Sequence, residues 1–322
     1  MHFFEFFKLC QRLIFFLPLT TANSPDKTTA PSSVALLKTH LPMNWTQLNG
    51  GGWSYDNPEE WPVNNPQCGG DRQSPIAINT DKTVNADIPP ITFASYDVVL
   101  GNYVVLENNG HTIKFNVPQT IENVPPTITN GPLEDIYEAA EVHFHWGSPT
   151  SKGSEHVINQ RRYDVEMHIV HMNNKYGSVE EAREYEDGLS VIGVLFKVEK
   201  TVANHEQPGL STIFNTVPYV TRYNSSASTQ QLISLGSLLS NINRDKFYTY
   251  QGSLTTPPCS EAVTWIVYPE VVPISIFQVK NFWFVRDSEG GRLVNNYRPV
   301  QPIGSRDVYY RSSNGDEVNY YF

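Results

Sequence analysis

The stretches "YVVLENNGHTIKFNV", "EVHFHW", "DVEMHIVHM", "LSVIGVLFKV", "FYTYQGSL" and "AVTWIVY" either alternate apolar with polar residues or crowd β-branched ones together. Clusters of Gly, Pro and Asn separate them. Side chains on a strand alternate between two faces, so runs of this kind read as strands bounded by turns. Helical patterns are scarce. Only "VEEAREYED", "LSTIFNTV" and "SIFQVKNFWFV" read as short helices. No internal repeat and no interior linker interrupts the series. The pattern predicts a mainly β chain with short helices, of α+β type, in a single domain.

The chain has 322 residues of which 39% are hydrophobic, enough to bury a sizeable core and too many for a disordered polymer. Its formal net charge is −10, with acidic residues spread along the sequence apart from a modest group at Glu180, Glu181, Glu184, Glu186 and Asp187. That group reads as a solvated face. Without a basic stripe to neutralise phosphates, nucleic acid is excluded as a partner.

Lys8 and Arg12 precede an apolar run from Leu13 to Leu19, and small residues follow to Ala22. This is the pattern of a secretory signal peptide over 1–22. The alternative is a retained anchor, but the run falls short of the roughly 20 residues a spanning helix needs. Residues 23–43, rich in Thr, Ser and Pro, read as a linker. The fold is expected over 44–310, with 311–322 as a tail that lacks the hydrophobic stretch of a lipid-anchor signal. The expectation is a secreted, extracellular protein with no membrane span once the signal is removed. Of the 3 cysteines, Cys10 falls in the signal, which leaves Cys68 and Cys259 as an even pair. One disulfide is the natural reading in an oxidising compartment, and two buried free thiols are the alternative. Asn44 and Asn224 head glycosylation sequons.

In "EVHFHW", strand alternation points Glu141, His143 and His145 one way and Val142, Phe144 and Trp146 the other. Two imidazoles converge on one face. In "DVEMHIVHM", Glu166, His168 and Val170 share a face and His171 takes the opposite one, so His168 is the next candidate for a third metal ligand. On spacing alone, ordinary core or surface histidines are the better reading, because nothing in the spacing demands a metal.

Several other stretches bear on that choice. "GDRQSPI", "NNGH", "EVHFHWGS", "GSEH", "EMHIVHMN", "GSLTTPPCSEAVTWIV" and "NNYRPVQP" follow one another between Trp53 and Gln301. In content and order this series resembles the signature stretches of the α-class carbonic anhydrases. The resemblance implies a central twisted, mostly antiparallel sheet with zinc at the foot of a conical cleft. It also implies reversible hydration of carbon dioxide to bicarbonate and a proton by zinc-bound hydroxide.

The resemblance also assigns roles. His143, His145 and His168 match the zinc ligands, with the fourth position left to water. Glu155 and Thr255 match a gatekeeping pair: an ionised Glu155 can only accept, so it takes the Thr255 proton and leaves that oxygen as an acceptor. Val170, Val191, Leu254 and Trp265 match the apolar wall that receives carbon dioxide, and Thr256 a residue that seats bicarbonate. His111 matches the proton shuttle, since a histidine both takes and releases protons near neutral pH. Tyr55 and Asn109 match residues that order the water chain. Around the ligands, Glu166 is expected to accept one outer ring N–H and Asn296 to cap another through its side chain or backbone. His156 and His171 read as structural hydrogen-bonding histidines.

Two positions depart from the family pattern: Glu141, where Gln is common, and Lys114, where Asn is common. Glu141 is expected to reach a ligand's outer nitrogen and bring negative charge to the metal, the alternatives being that it is itself protonated or is paired with a cation such as Lys114. The implied partners are carbon dioxide and bicarbonate, with sulfonamides and anions as inhibitors. The alternative function is a non-catalytic extracellular binding or biomineral matrix protein on the same scaffold.

Overall fold

The β-branched runs lie side by side in one sheet of a computed structural model that describes residues 52–199 and 207–312. The expected signal (1–22), linker (23–43), sequon at Asn44 and nearly all of the tail lie outside these residues. Among the described residues the sheet has 12 strands. From one edge its path runs Ser226–Ser228, Val105–Asn108, Ile113–Asn116, Leu133–Trp146, Val165–Asn173, Leu189–Glu199, Val263–Ser275, Phe247–Gly252, Tyr309–Arg311 and Val84–Asn85. Thr127–Asn130 also pairs with Leu133–Trp146 and carries Ile91–Ala94 on its far side.

Most neighbours are antiparallel, as expected. Leu189–Glu199 against Val263–Ser275 is parallel, as is Tyr309–Arg311 against Val84–Asn85. A parallel pair needs a long crossover, and the chain between those two long strands includes the helix Pro208–Thr216. Tyr309–Arg311 runs past the expected domain boundary at 310, because Arg311 is buried and its guanidinium bonds the carbonyls of Ile88 and Asp245.

The middle strands are covered on both faces. On one side Phe144, Trp146, Met167, Ile169, Ile192 and Phe196 pack with Leu210, Ile213 and Phe214 of the helix. On the other, Val170, Val191, Leu195, Trp265 and Val267 form a second apolar cluster. "LSTIFNTV" is helical almost throughout, within Pro208–Thr216, whereas the other two helices are shorter than their sequence patterns. "VEEAREYED" is helical only over Val179–Ala182, where the Ser178 hydroxyl accepts from Glu181 N–H. In "SIFQVKNFWFV" a capping box between Ser275 and Gln278 starts the helix Ile276–Val279, and a separate 3-10 turn follows over Phe282–Phe284. No helix among the described residues is long and apolar enough to cross a membrane.

Candidate metal centre

Register brings the histidines together. His143 on one strand stands opposite His168 on the next, and His168 stands opposite Gly193 on the third. Gly193 leaves space: a Cβ there would come within 3.3 Å of Glu166 Oε1 and 3.7 Å of the Trp265 ring. His168 Nδ1 lies 3.1 Å from His145 Nε2 and 3.2 Å from His143 Nε2. A tetrahedral metal with bonds of about 2.0–2.1 Å would set its ligand nitrogens about 3.3–3.4 Å apart. The three histidines therefore form a possible metal site of the right size.

Their outer nitrogens decide what the inner ones carry. His143 Nδ1 lies 3.0 Å from Glu141 Oε1, His145 Nδ1 2.8 Å from the Asn296 carbonyl, and His168 Nε2 2.8 Å from Glu166 Oε1. A carbonyl or ionised carboxylate can only accept, so each outer nitrogen is the N–H donor. Each inner nitrogen then presents a lone pair. Burial, followed by the charges of the other two histidines, holds His145 well below the usual range, and burial is also the main cause that lowers His168 to about 4. Lone pairs converging without a proton between them suit a cation.

Glu166 anchors more than one ring. Its Oε1 also takes His156 Nδ1 at 2.6 Å, and its Oε2 accepts the backbone N–H groups of Glu155 and His156, each at 2.7 Å. Burial pushes this carboxyl up, but His156 and His168 outweigh it and hold it well below the carboxylate range. His156 Nε2 receives the Tyr250 hydroxyl at 2.7 Å. The close approach of His156, Glu166 and His168 is thus a hydrogen-bonded network, with its nitrogens already committed. His171 lies on the opposite face, between the Tyr96 hydroxyl and the Ser190 carbonyl.

Glu141 takes His143 on Oε1 and the Lys114 ammonium on Oε2 at 2.6 Å. Burial raises its pKa, but the His143 and Lys114 contacts prevail and bring it to about 2.

Glu155 is fully buried, its Oε1 accepting Arg298 N–H at 2.8 Å. Its Oε2 has no hydrogen-bond partner among the described residues and lies 3.4 Å from His145 Nε2. Burial and then the Glu166 charge push the carboxyl up to about 8, while Thr255 beside it favours the ionised form. A dication among the histidines would supply the missing counter-charge. The orphaned oxygen thus speaks for the same occupant as the lone pairs do.

Val170, Val191 and Trp265 are buried in one cluster with Leu254 packed against it, and the Trp265 ring centroid is 4.9 Å from that of His168. Thr256 is half-buried in the adjoining turn, closed by Cys259 N–H to the Thr256 carbonyl at 2.9 Å. Cys259 is joined to Cys68 by a disulfide, and both cysteines pack on Trp61, with Trp53 and Tyr55 alongside.

His111 sits in a turn held by Asn109, whose side-chain oxygen accepts the N–H groups of His111 and Thr112 at 2.9 and 2.8 Å. Its ring stacks on Trp53, centroids 3.9 Å apart and planes 10° apart, and burial lowers its pKa against the opposing pull of Asp287. Tyr55 has its phenol pushed up by burial and then by the Glu155 charge. Asn224 is exposed in a left-handed turn, with φ 58°, beside the edge strand Ser226–Ser228.

Sequence reading missed the stacking role of Trp53 and the part played by Arg298, whose guanidinium bonds the carbonyls of Cys68 and Ser74 and the side chain of Gln73. No local signal marks either one, because their partners lie far along the chain.

The sequence model described as eukaryotic-type carbonic anhydrase matches residues 56–312. Carbonic anhydrase 15 of Mus musculus is 36% identical over 272 residues, covering 80% of this chain and 82% of the relative. Carbonic anhydrase 6 of Canis lupus familiaris is 34% identical over 281 residues, covering 84% of each. Carbonic anhydrase 7 of Homo sapiens is 34% identical over 266 residues, covering 80% of this chain and 96% of the relative.

Proposed function

The chain belongs to the eukaryotic-type carbonic anhydrase family, and from that premise we propose that it is a zinc enzyme interconverting carbon dioxide and bicarbonate. The observation that carries the reading is the set of inner nitrogens on His143, His145 and His168, each left with a lone pair because its outer nitrogen is already engaged. Zinc, when bound there, supplies the Lewis acidity that makes a water-derived nucleophile available near neutral pH.

The chain's own residues do the rest. The three imidazoles bind the metal, and Glu141, Glu166 and the Asn296 carbonyl fix their tautomers. Glu155, once ionised, accepts only, so a Thr255 hydroxyl that gives it a proton keeps its oxygen as an acceptor facing the site. Val170, Val191, Leu254 and Trp265 exclude water from the wall that receives an apolar substrate, and Thr256 offers polar groups to the product. His111 carries the released proton outward on its ring nitrogen. Action outside the cytosol is part of the proposal, supported by the Cys68–Cys259 disulfide. Glycosylation at Asn224 and inhibition by sulfonamides and anions belong to the same reading.

Stopped-flow hydration of carbon dioxide on zinc-loaded protein tests it. The parent should be active and inhibited by a sulfonamide, while His145→Ala should lose both zinc and activity. A zinc-loaded parent without activity would leave a binding protein on this scaffold instead.

A further inference from the structure

The three acceptors that fix the ligand tautomers are not equally secure. The Asn296 carbonyl is part of the backbone, and Glu166 is pinned by two ring nitrogens and two backbone N–H groups. Glu141 has its side chain 27% exposed, and among the described residues its carboxylate is held by His143 and Lys114. Lys114 stands opposite His143 in the register of the neighbouring strand, so its ammonium reaches Oε2 while Oε1 faces the ring.

We propose that Lys114 is a positioning residue of the metal centre, holding the Glu141 carboxylate so that it keeps the outer N–H of His143. The inference rests on the zinc reading above.

Losing Lys114 has two consequences of opposite sign. Removing a cation favours a dication nearby, but the Lys114 side chain is 23% exposed and such interactions are weakened by water and salt. Releasing Glu141 to solvent costs a ligating histidine its outer partner, which typically weakens metal binding about 10–100-fold. The second effect prevails. Lysine suits the task because its stem covers the strand while the head reaches the carboxylate.

The test is the rate at which fully zinc-loaded protein releases metal to excess EDTA. Lys114→Met should speed release about tenfold, and Lys114→Arg, which keeps a cationic donor, should stay within about threefold of the parent. In a Glu141→Gln background, Lys114→Met should add nothing, because there is no carboxylate left to hold. Unchanged or slower release from Lys114→Met, or equal acceleration with and without Glu141, would overturn the proposal. Circular dichroism matching the parent guards against a folding defect, and Lys114→Gln gives a second neutral variant. A parent that fails to retain one zinc per chain would overturn the zinc reading itself, which is a separate result.

Discussion

Replacing Cys68 and Cys259 together by Ala opens a covalent loop across a sequence separation of 191 residues. In the chain-entropy treatment, closing a loop of that size stabilises the native state by about 5 kcal/mol, an upper figure because denatured chains retain some structure. The substitution adds little strain of its own. Cys259 has φ 60°, and Ala carries the same Cβ into that left-handed conformation. Both sulfurs are buried against Trp61, so a small packing loss adds to the entropic one. With an urea m-value of about 3 kcal/mol/M, the midpoint should fall by about 1–2 M in the zinc-loaded protein. Activity should fall further than zinc content, because Cys259 closes the turn that carries Thr255 and Thr256, whereas no zinc histidine lies in that turn. Urea titrations followed by tryptophan fluorescence, with zinc measured in parallel, give both numbers. A midpoint shift below about 0.3 M, which is about 1 kcal/mol, would refute the argument that loop closure is what the bridge contributes.

Burial holds His171 at about 4 in the folded chain against an unfolded value of about 6.5, so the unfolded state binds more protons between those pH values. Its contribution to stability is complete above about pH 6.5 and declines by about 3 kcal/mol as pH falls toward 4; His171→Gln should flatten that acid limb in denaturation curves measured across pH. A Cβ on Gly153 would collide with the backbone of Trp146 and Gly147, which cannot yield as a flexible side chain would, so Gly153→Ala should cost about 3 kcal/mol or more by thermal melting and displace the nearby Glu155. His111→Ala should slow hydration in weak buffer, and added imidazole should restore much of the rate; indifference to buffer would place proton transfer on another group.

The histidine face was readable because strand alternation is indifferent to what lies beyond the strand: Glu141, His143 and His145 follow from period two alone. The pairing of Glu141 with Lys114 was readable as an option, since opposite charges on one wall attract. The double burial of the middle strands was not. Val165–Asn173 and the first part of Leu189–Glu199 are buried almost without interruption, and alternation assigns faces within a strand without telling that both faces are covered. That Asn296 caps His145 through its carbonyl rather than its side chain depends on a loop conformation that composition does not encode. The side chain instead accepts Trp146 N–H and donates to the carbonyls of His111 and Phe144. Trp53 and Arg298 escaped for a related reason: their partners are selected by tertiary approach and not by neighbours in sequence.

The register that unites the metal ligands has a kinetic consequence. His143 and His168 lie 25 residues apart on adjacent antiparallel strands, a short-range closure. The parallel pairing that seats the Trp265 strand beside Val191 closes a longer loop, with Ser190 and Thr264 separated by 74 residues, and Asn296 reaches His145 across 151. Chains form near contacts sooner than distant ones, because loop-closure entropy is lost before the contact compensates for it. On the zinc reading, a refolding chain would capture a metal ion with a single strand pair while the proposed substrate wall and the Asn296 cap are still unmade. Metal held at that stage would be held loosely and would tighten as the later strands arrive. Zinc uptake should run ahead of recovered catalysis, so that an early metal-bearing and inactive species marks the halfway point of assembly.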